Sequence, residues 1–399
     1  MIGTTAPVAG GRVTLTPECP LAGLTVLDLS RVLAGPYATQ LLGDLGAIVW
    51  KVERPGEGDE TRAWGPPFVG DASAYYVSVN RNKRSAALEF TDPAHRAAIL
   101  RAAARADVVV ENFLPGALER FGLDPATLRR DHPELVACSI TGFGQDGPYA
   151  QLPGYDAVLQ GFVGLQAVTG QPDGPPTKVG VALVDVLSGI HAAASILAAL
   201  VGRFRSGKGA HLDVALYEVG VHALVNVSQG ALSTGQPARR QGNAHPHIVP
   251  YQTFAASDEL FVLAVGNDAQ WRRVCEAMGE PGRGTDPRFA ANPARVLHRA
   301  DVVSWLGSRF ATEPREAWLE RFRAAGVPAG PVRNVLEAVT DPVLAARGMV
   351  APHTLPDGTV TPLFSLPWRA DGVRPPVTLP PPALGQHTQE FLREFGTPR

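Results

Sequence analysis

The chain has 399 residues, of which 45% are hydrophobic, enough to fill the cores of two or three domains. Its 36 basic and 38 acidic residues give a net charge of −2 without a polybasic or acidic block, which argues against nucleic acid or a membrane as partner. Three distant cysteines exclude a disulfide framework and favour a reducing compartment, so we expect a cytoplasmic protein that binds a small molecule. Residues 1–20 resemble a loose leader rather than a signal peptide.

From Leu24 onward, short β-branched segments alternate with helical ones. The predicted strands cover residues 25–29, 48–52, 107–110, 135–140 and 210–215. The predicted helices cover residues 36–45, 93–104 and 216–230, with Asp92 as the N-cap of the second. Strands that alternate with helices form parallel sheets covered on both faces, so we predict an α/β domain that binds ligands at the carboxyl ends of its strands.

One ionisable residue stands near the start of a long apolar stretch over residues 179–201. This stretch predicts a single buried helix that begins near Asp185 and stops at Gly207; its internal polar residues argue against a membrane span. An unpaired carboxylate is costly to bury, so Asp185 requires a hydrogen-bond partner, a helix terminus or a function. Spacing alone favours an N-cap, with the helix terminus holding the carboxylate ionised.

After a predicted linker at residues 233–237, the composition changes. The elements expected there are strands at 248–254 and 260–265 and helices at 268–278, 298–311 and 315–325. They predict a smaller α+β domain. From residue 326 the chain is rich in proline, which is typical of extended segments that pack on a surface.

Three motifs suggest chemistry that their surroundings argue against. Residues 142–147 spell G-x-G-x-x-G, but Pro148 follows at once, which argues against a nicotinamide or flavin site. Residues 202–209 nearly spell a phosphate-binding loop, but Gly209 stands where a serine or threonine is needed. His245 and His247 lack a nearby cysteine or carboxylate, so polar contacts with a substrate are favoured over a metal site.

A second carboxylate, Asp156, stands at the start of another apolar helix. Two carboxylates in one cleft would suit acid–base or nucleophilic chemistry, whereas two N-caps are the simpler interpretation, and spacing does not show whether Asp156 and Asp185 meet. A basic series also follows two strand ends: Arg54, Arg62, Arg81, Lys83 and Arg84. These residues form either a solvated face or a group of cations for the phosphates of a nucleotide-like ligand.

Longer motifs in a fixed order resemble those of the family III CoA transferases, the formyl-CoA transferase and carnitine-CoA transferase group. They lie at residues 21–36, 43–47, 51–55, 80–85, 111–117 and 139–148, and the resemblance extends from Leu21 to Thr388. It implies a Rossmann-like CoA-binding domain (1–225), a small α+β domain (226–330) and an extended C-terminal part (331–399) that returns to the large domain. It also implies an interlocked homodimer.

By this resemblance, Asp185 falls on the family's nucleophile, which forms a mixed anhydride and then an aspartyl-CoA thioester. The positions implied to contact CoA are Arg54, Leu88, Asn112, Phe113, Arg120 and Phe121. Neither a metal nor a permanently bound cofactor is implied, because CoA itself acts as substrate and carrier.

The α-methylacyl-CoA racemases share this fold and use a Gly-His-Asp pattern to move a proton. Here Tyr155 precedes Asp156, and a tyrosine with a pKa of about 10 is a poor base at neutral pH, so a transferase is favoured. Leu33 replaces an active-site glutamine of the formyl-CoA transferases, Pro153 replaces a lysine, and their glycine-rich flap is absent, which argues against formyl transfer to oxalate. A CoA-binding protein without catalytic activity is the other alternative.

Further motifs at residues 61–70, 75–83, 248–252 and 381–388 look most like those of succinyl-CoA:glutarate CoA transferases. We therefore expect a dicarboxylate substrate. Its free carboxylate needs a cationic or hydrogen-bonding partner, for which Arg62, His245 and His247 are candidates. Leu33, Tyr155 and Asp156 complete the expected substrate site.

Overall fold

In a computed structural model of the chain, residues 16, 17 and 19–397 are described. They divide into two compact units. The larger unit contains residues up to 165, residues 178–233 and residues from 342 onward, and the smaller unit contains residues 166–177 and 234–341. The breaks thus lie somewhat after the boundaries expected at 225/226 and 330/331, and the expected leader lies almost entirely outside the described residues.

The larger unit contains a six-stranded sheet in which every neighbouring pair is parallel, so the predicted α/β class is confirmed. Its strand order is β5-β2-β1-β6-β7-β8. The strands are β1 (Thr25–Asp28), β2 (Ile48–Glu53), β5 (Lys83–Ala87), β6 (Val108–Glu111), β7 (Val136–Thr141) and β8 (His211–Ala215). All residues of β6 and β7 are buried, as expected where helices cover both faces.

Helices and two short hairpins complete the larger unit. The helices up to β8 are α1 (Ala34–Asp44), α2 (Ala74–Val79), α3 (Pro93–Arg105), α4 (Pro125–Asp131), α5 (Asp156–Phe162) and α7 (Leu183–Ser206). Between the last two, α6 (Leu165–Val168) has its last three residues in the smaller unit. Those after β8 are α8 (Leu216–His222), α9 (Asn226–Thr234), α16 (Pro342–Ala346) and α17 (Thr388–Phe395). The hairpins are β3 (Phe68–Val69) with β4 (Ala72–Ser73), and β12 (Val350–Thr354) with β13 (Val360–Phe364); short 3-10 turns cover Glu60–Ala63 and Glu119–Phe121.

Several local predictions can be compared with these elements. Asp92 caps α3 by accepting hydrogen bonds from the Ala94 and His95 amides, and Gly207 ends α7 with a φ of 72°. The predicted helix over 216–230 is wrong, because the chain breaks at Val225, whose φ is 46°, and forms α8 and α9 instead. Strand β5 and helix α17 were not predicted.

The core of the larger unit lies on both faces of the sheet. On one face α1 and α7 pack together with β1 and β6, and on the other α3 and α17 pack against Trp50 of β2. Helices α1 and α7 approach closely because residue 189 is glycine: a Cβ there would lie 2.7 Å from the Ala34 carbonyl oxygen. This approach brings the first turn of α7 beside the start of α1.

Buried ion pairs join the strands to the segments around them. Lys83 pairs with Asp28 at 3.1 Å with both side chains fully buried, and Arg81 pairs with Asp44. Burial lowers the Lys83 pKa to about 8 despite the attraction of Asp28. The interpretation of the basic series as a solvated face is therefore wrong for Arg81 and Lys83, because both side chains form ion pairs in the protein interior.

The C-terminal segment returns to the larger unit. Phe391 and Phe395 of α17 lie edge-on to Trp50, with ring centroids 5.3 and 6.1 Å away. Arg101 of α3 donates hydrogen bonds to the carbonyl of Phe395, the last residue of α17, and to that of Gly396, its C-cap. The tail is thus a structural part of this unit and more than an extended surface segment.

The smaller unit contains an antiparallel sheet ordered β11-β10-β9, formed by β9 (Tyr251–Ala255), β10 (Leu260–Ala264) and β11 (Ala329–Pro331). Its helices are α10 (Asp268–Ala277), α11 (Pro281–Thr285), α12 (Asn292–Leu297), α13 (Arg299–Phe310), α14 (Arg315–Ala324) and α15 (Val335–Val339). Aromatic residues fill the core, with Phe310 edge-on to Phe254, Phe261 and Trp318. The three amphipathic segments expected here correspond to α10, α13 and α14.

Among the described residues, α7 is the one helix long and apolar enough to cross a membrane by length and composition. The core helix of a water-soluble protein passes the same test, and α7 packs along the sheet. Within the same part of the chain, no three His, Cys, Asp or Glu side chains form a group that could hold a metal ion.

Candidate active site

A cavity of about 210 Å³ lies at the carboxyl ends of β1, β6 and β7. The loop before α1 forms one wall with Arg31, Val32, Leu33 and Ala34. The other walls come from the loops after β6 and β7 and from the first turn of α7. Asp185 projects from that turn, so the residue expected from the sequence lies where parallel sheets bind ligands.

Asp185 is the third residue of α7 and not its N-cap, so that prediction is wrong. The cap comes from Asp156: its Oδ1 accepts hydrogen bonds from the Val184 amide at 2.8 Å and the Asp185 amide at 3.3 Å. Its Oδ2 accepts one from Gln160 Nε2 at 2.6 Å. The positive end of α7 therefore stabilises the Asp156 carboxylate, which lies near Asp185 but does not line its cavity.

The Asp185 carboxyl is costly to ionise in this setting. Its side chain lies inside the cavity wall with the residue 9% exposed, and desolvation together with the nearby Asp156 raises its pKa to about 7. The sequence-based expectation that the helix terminus holds this carboxylate ionised is thus wrong. A carboxylate of higher pKa is more basic than an ordinary aspartate and, when ionised, a better nucleophile.

Tyr75 of α2, which the sequence reasoning did not select, does not line the cavity but lies within the electrostatic influence of Asp185. Burial and the negative charges of Asp185 and Asp156 raise its pKa to about 12. Its phenol therefore stays protonated near both carboxylates, and its ring packs edge-on against Trp64 at 5.3 Å. The signal in the sequence was weak, because a tyrosine in a short helix usually indicates packing.

A second cavity of about 300 Å³ adjoins the first, and Arg31, Glu60 and Phe113 line both. Its other walls are charged at the rim, with Arg54 and Glu57, and apolar deeper in, with Leu88 and Phe90. The Arg54 side chain is 67% exposed and pairs with Glu57 at 3.0 Å. A cation beside an apolar slot suits the phosphates and base of a nucleotide.

The residues expected to contact CoA lie around these two cavities. Arg54, Leu88 and Phe113 line the second cavity, and Asn112 and Phe113 line the first. Phe121 lies at the edge of this region, 5.6 Å from the ring of Phe90, and Arg120 stacks over Phe121 at 4.6 Å.

The expected substrate residues are distributed unevenly. Leu33 and Tyr155 line the first cavity beside Asp185. Arg62 does not line it; its guanidinium donates hydrogen bonds to both carboxylate oxygens of Glu53 at 2.8 Å and to the Tyr76 hydroxyl. His245 and His247 belong to the smaller unit, where the His245 ring lies 5.4 Å from that of Tyr251.

The comparisons with known proteins agree with this geometry. The sequence model of CoA-transferase family III matches residues 21–388. The chain belongs to this family. The succinate–glutarate CoA-transferase of Agrobacterium fabrum is 43% identical over 393 residues, covering 95% of this chain and 96% of that protein. The human succinyl-CoA:glutarate CoA-transferase is 41% identical over 375 residues, covering 94% and 86%.

Among solved structures, a CAIB/BAIF family protein from Brucella suis superimposes with a TM-score of 0.84 at 42% identity. The alignment covers 95% of this chain and all of that one. The resemblance inferred from the motifs is therefore confirmed, and the protein is an enzyme of CoA-transferase family III.

The walls of the Asp185 cavity also distinguish this transferase from the racemases. Among the described residues no histidine lines the cavity, and the position before Asp156 holds Tyr155, which is 56% exposed. The backbone at the start of α1 offers donors instead: Leu33 is the N-cap, and in the described chain no side chain caps this helix. Unpaired N–H groups at a helix start stabilise negative charge on an oxygen.

Proposed function

We propose that this family III CoA transferase moves CoA from succinyl-CoA to glutarate through covalent chemistry at Asp185. The observation that carries the proposal is a carboxylate of raised pKa in a cavity that adjoins a nucleotide-like pocket. The names of the two relatives at 43% and 41% identity supply the donor and the acceptor.

The proposed sequence begins when the Asp185 carboxylate attacks the thioester carbonyl, the C–S bond breaks and CoA leaves as thiolate. The thiolate attacks the aspartyl carbonyl of the mixed anhydride, which releases succinate and leaves an aspartyl-CoA thioester. Glutarate attacks this thioester and expels the thiolate, which then attacks the glutaryl carbonyl of the second anhydride. Glutaryl-CoA forms and Asp185 returns to a carboxylate without net proton transfer.

Each addition places negative charge on a carbonyl oxygen in a partly desolvated cavity. The uncapped start of α1, at Leu33 and Ala34, supplies backbone N–H donors in the cavity wall beside Asp185. Donors fixed by the fold need no reorganisation during the reaction, so they lower the barrier more than water does.

A dicarboxylate keeps one free carboxylate throughout this sequence. Arg31 supplies the single cationic side chain lining the Asp185 cavity in the described part of the chain. Its guanidinium is half-exposed and lies 3.7 Å from Glu60, a weak surface pair that an incoming carboxylate can replace. Arg31 therefore takes the role for which the sequence had suggested Arg62.

We also propose that the enzyme acts as a homodimer. Large apolar side chains lie exposed along α7 and α9: Ile190, Val201, Phe204 at 70% exposure and Leu232 at 81% exposure. An apolar face of this kind needs cover, and a second copy of the chain supplies it symmetrically. Light scattering should report twice the chain mass, and Phe204→Glu should shift the mass toward that of one chain.

Exchange between succinyl-CoA and a panel of acids tests the proposed reaction. Glutarate should be the preferred acceptor over malate, mesaconate, carnitine and oxalate, and hydroxylamine added during turnover should modify residue 185. Asp185→Asn is the matched control, because it keeps the shape and removes the nucleophile. CoA binding by calorimetry without exchange to any acid would indicate the non-catalytic alternative, and solvent deuterium uptake at Cα of a 2-methylacyl-CoA would indicate the racemase.

A further inference from the structure

The loop before α1 contains a strained residue in the wall of the Asp185 cavity. Val32 has a φ of 70°, in the left-handed region. A β-branched residue there is an outlier, because its Cβ crowds the backbone, and such strain persists only where surrounding contacts impose it. The neighbouring residues therefore hold Val32 in a conformation that its own side chain opposes.

Three side chains from other parts of the larger unit hold this loop. Lys51 of β2 donates a hydrogen bond to the Ser30 carbonyl at 2.8 Å. Asn112, just after β6, accepts one from the Arg31 amide at 3.0 Å and donates one to the Arg31 carbonyl at 2.7 Å. Asp59 accepts one from the Val32 amide, at 3.2 Å from Oδ2 and 3.3 Å from Oδ1.

Asp59 is itself fixed and charged. Its side chain is fully buried and lies 2.9 Å from Lys51 Nζ, and its Oδ1 accepts hydrogen bonds from the Thr61 amide and hydroxyl. Although burial opposes ionisation, Lys51 and these hydrogen bonds lower the Asp59 pKa to about 2. The carboxylate that meets the Val32 amide is thus a rigid, permanent anion.

We propose that Asp59 is a positioning residue for CoA transfer, and that it acts by holding the Val32 backbone in the left-handed conformation. This inference rests on the proposed function and adds a residue to it. The chain immediately after Val32 forms the uncapped start of α1 at Leu33 and Ala34, beside Asp185. If Val32 relaxes to a negative φ, the following amides turn away from their present direction, and the cavity wall changes with them.

The proposal predicts that loss of Asp59 lowers kcat much more than it changes KM. Asp59→Ala removes the acceptor of the Val32 amide; Asp59 itself lines the second cavity and not the Asp185 cavity, so the side chains that line the Asp185 cavity all stay in place. We expect kcat to fall by about tenfold to a hundredfold, because small displacements of catalytic donors have effects of this size. The KM for succinyl-CoA should change by less than about threefold, because the interaction lost acts mainly in the transition state.

Glycine at position 32 separates backbone positioning from general loosening. Glycine adopts a φ of 70° without strain, whereas alanine retains the Cβ that opposes it. In the Asp59→Ala background, Val32→Gly should therefore recover about tenfold in kcat, and Val32→Ala should recover much less. The coupling between residues 32 and 59 is measured by making the same two substitutions in the wild-type background, where Asp59 already imposes the left-handed conformation. Their effects on kcat are then compared between the two backgrounds.

The outcomes are distinct. If the wild-type chain transfers CoA but glycine and alanine at position 32 change kcat equally in the Asp59→Ala background, the positioning role is refuted and the proposed function is not. A wild-type chain without transfer to any acid would remove the proposed function. If Asp59→Ala does not fold, Asp59→Leu with Lys51→Met replaces the buried pair by apolar side chains, and the same glycine and alanine comparison is made there.

Discussion

Replacing Asp185 by asparagine should abolish CoA transfer and, at alkaline pH, make the protein more stable. The two effects have one origin. The cavity disfavours the ionised carboxylate through desolvation and the nearby Asp156, and the same environment makes that carboxylate basic enough to attack a thioester. Asparagine has a similar shape but no charge to desolvate.

The magnitude follows from the pKa. The folded protein holds the Asp185 proton up to about pH 7, whereas the unfolded chain releases it near 3.8. The folded state therefore binds more protons between these values, and the free energy of unfolding of the wild type falls as pH rises from about 4 to 7. A shift from 3.8 to about 7 corresponds to about 4 kcal/mol, fully developed above pH 7.

Urea unfolding of both proteins at pH 5 and at pH 8 measures this difference. At pH 8 the Asp185→Asn protein should be more stable by a few kcal/mol, and at pH 5 the two should differ much less. The comparison across pH is its own control, because changes in packing or hydrogen bonding act at both values. An equal difference at pH 5 and pH 8, or a less stable variant at pH 8, would refute the electrostatic account.

Three further predictions concern neighbouring groups. Asp156→Asn keeps the oxygen that caps α7 but removes the charge that, after desolvation, contributes to the raised Asp185 pKa. The acidic limb of kcat/KM, expected at about pH 7 in the wild type, should therefore move to lower pH, and an unchanged limb would contradict this coupling. Arg31→Met should lower the preference for glutarate over pentanoate by about tenfold, because only glutarate has a second carboxylate to bind; parallel losses for both acids would assign Arg31 to CoA instead. Phe395→Ala should reduce the free energy of unfolding by about 3 kcal/mol, measured with urea, because it opens a cavity beside Trp50; a change below about 1 kcal/mol would show that α17 does not complete the core.

Much of the sheet could be predicted from the sequence because most residues of four of its strands are buried and apolar. Strands β1, β2, β6 and β7 are short apolar runs that stand out between helical segments. Strand β5 was not recognised, because Lys83 and Arg84 suggest a surface and only the fold shows that Asp28 lies beneath Lys83. A buried charge cannot be inferred from a pattern when its partner is distant in sequence.

The candidate site, too, could be predicted from the sequence only in part. Asp185 could be selected from the sequence because a lone carboxylate in an apolar run requires an explanation, and family resemblance then gave it a role. Its environment could not be derived, since the cap of α7 comes from Asp156, almost thirty residues earlier in the chain. The left-handed conformation of Val32 was equally hidden, because valine is a residue type that argues against it.

The return of the C-terminal helix to Trp50 also determines when this enzyme can mature during synthesis. The strands that form the nucleotide-like pocket are translated early, but Phe391 and Phe395 cover Trp50 only after the ribosome has passed residue 395. The inserted smaller unit, residues 234–341, is complete before then. The nascent larger unit must therefore remain soluble with Trp50 only partly covered until α17 has been made.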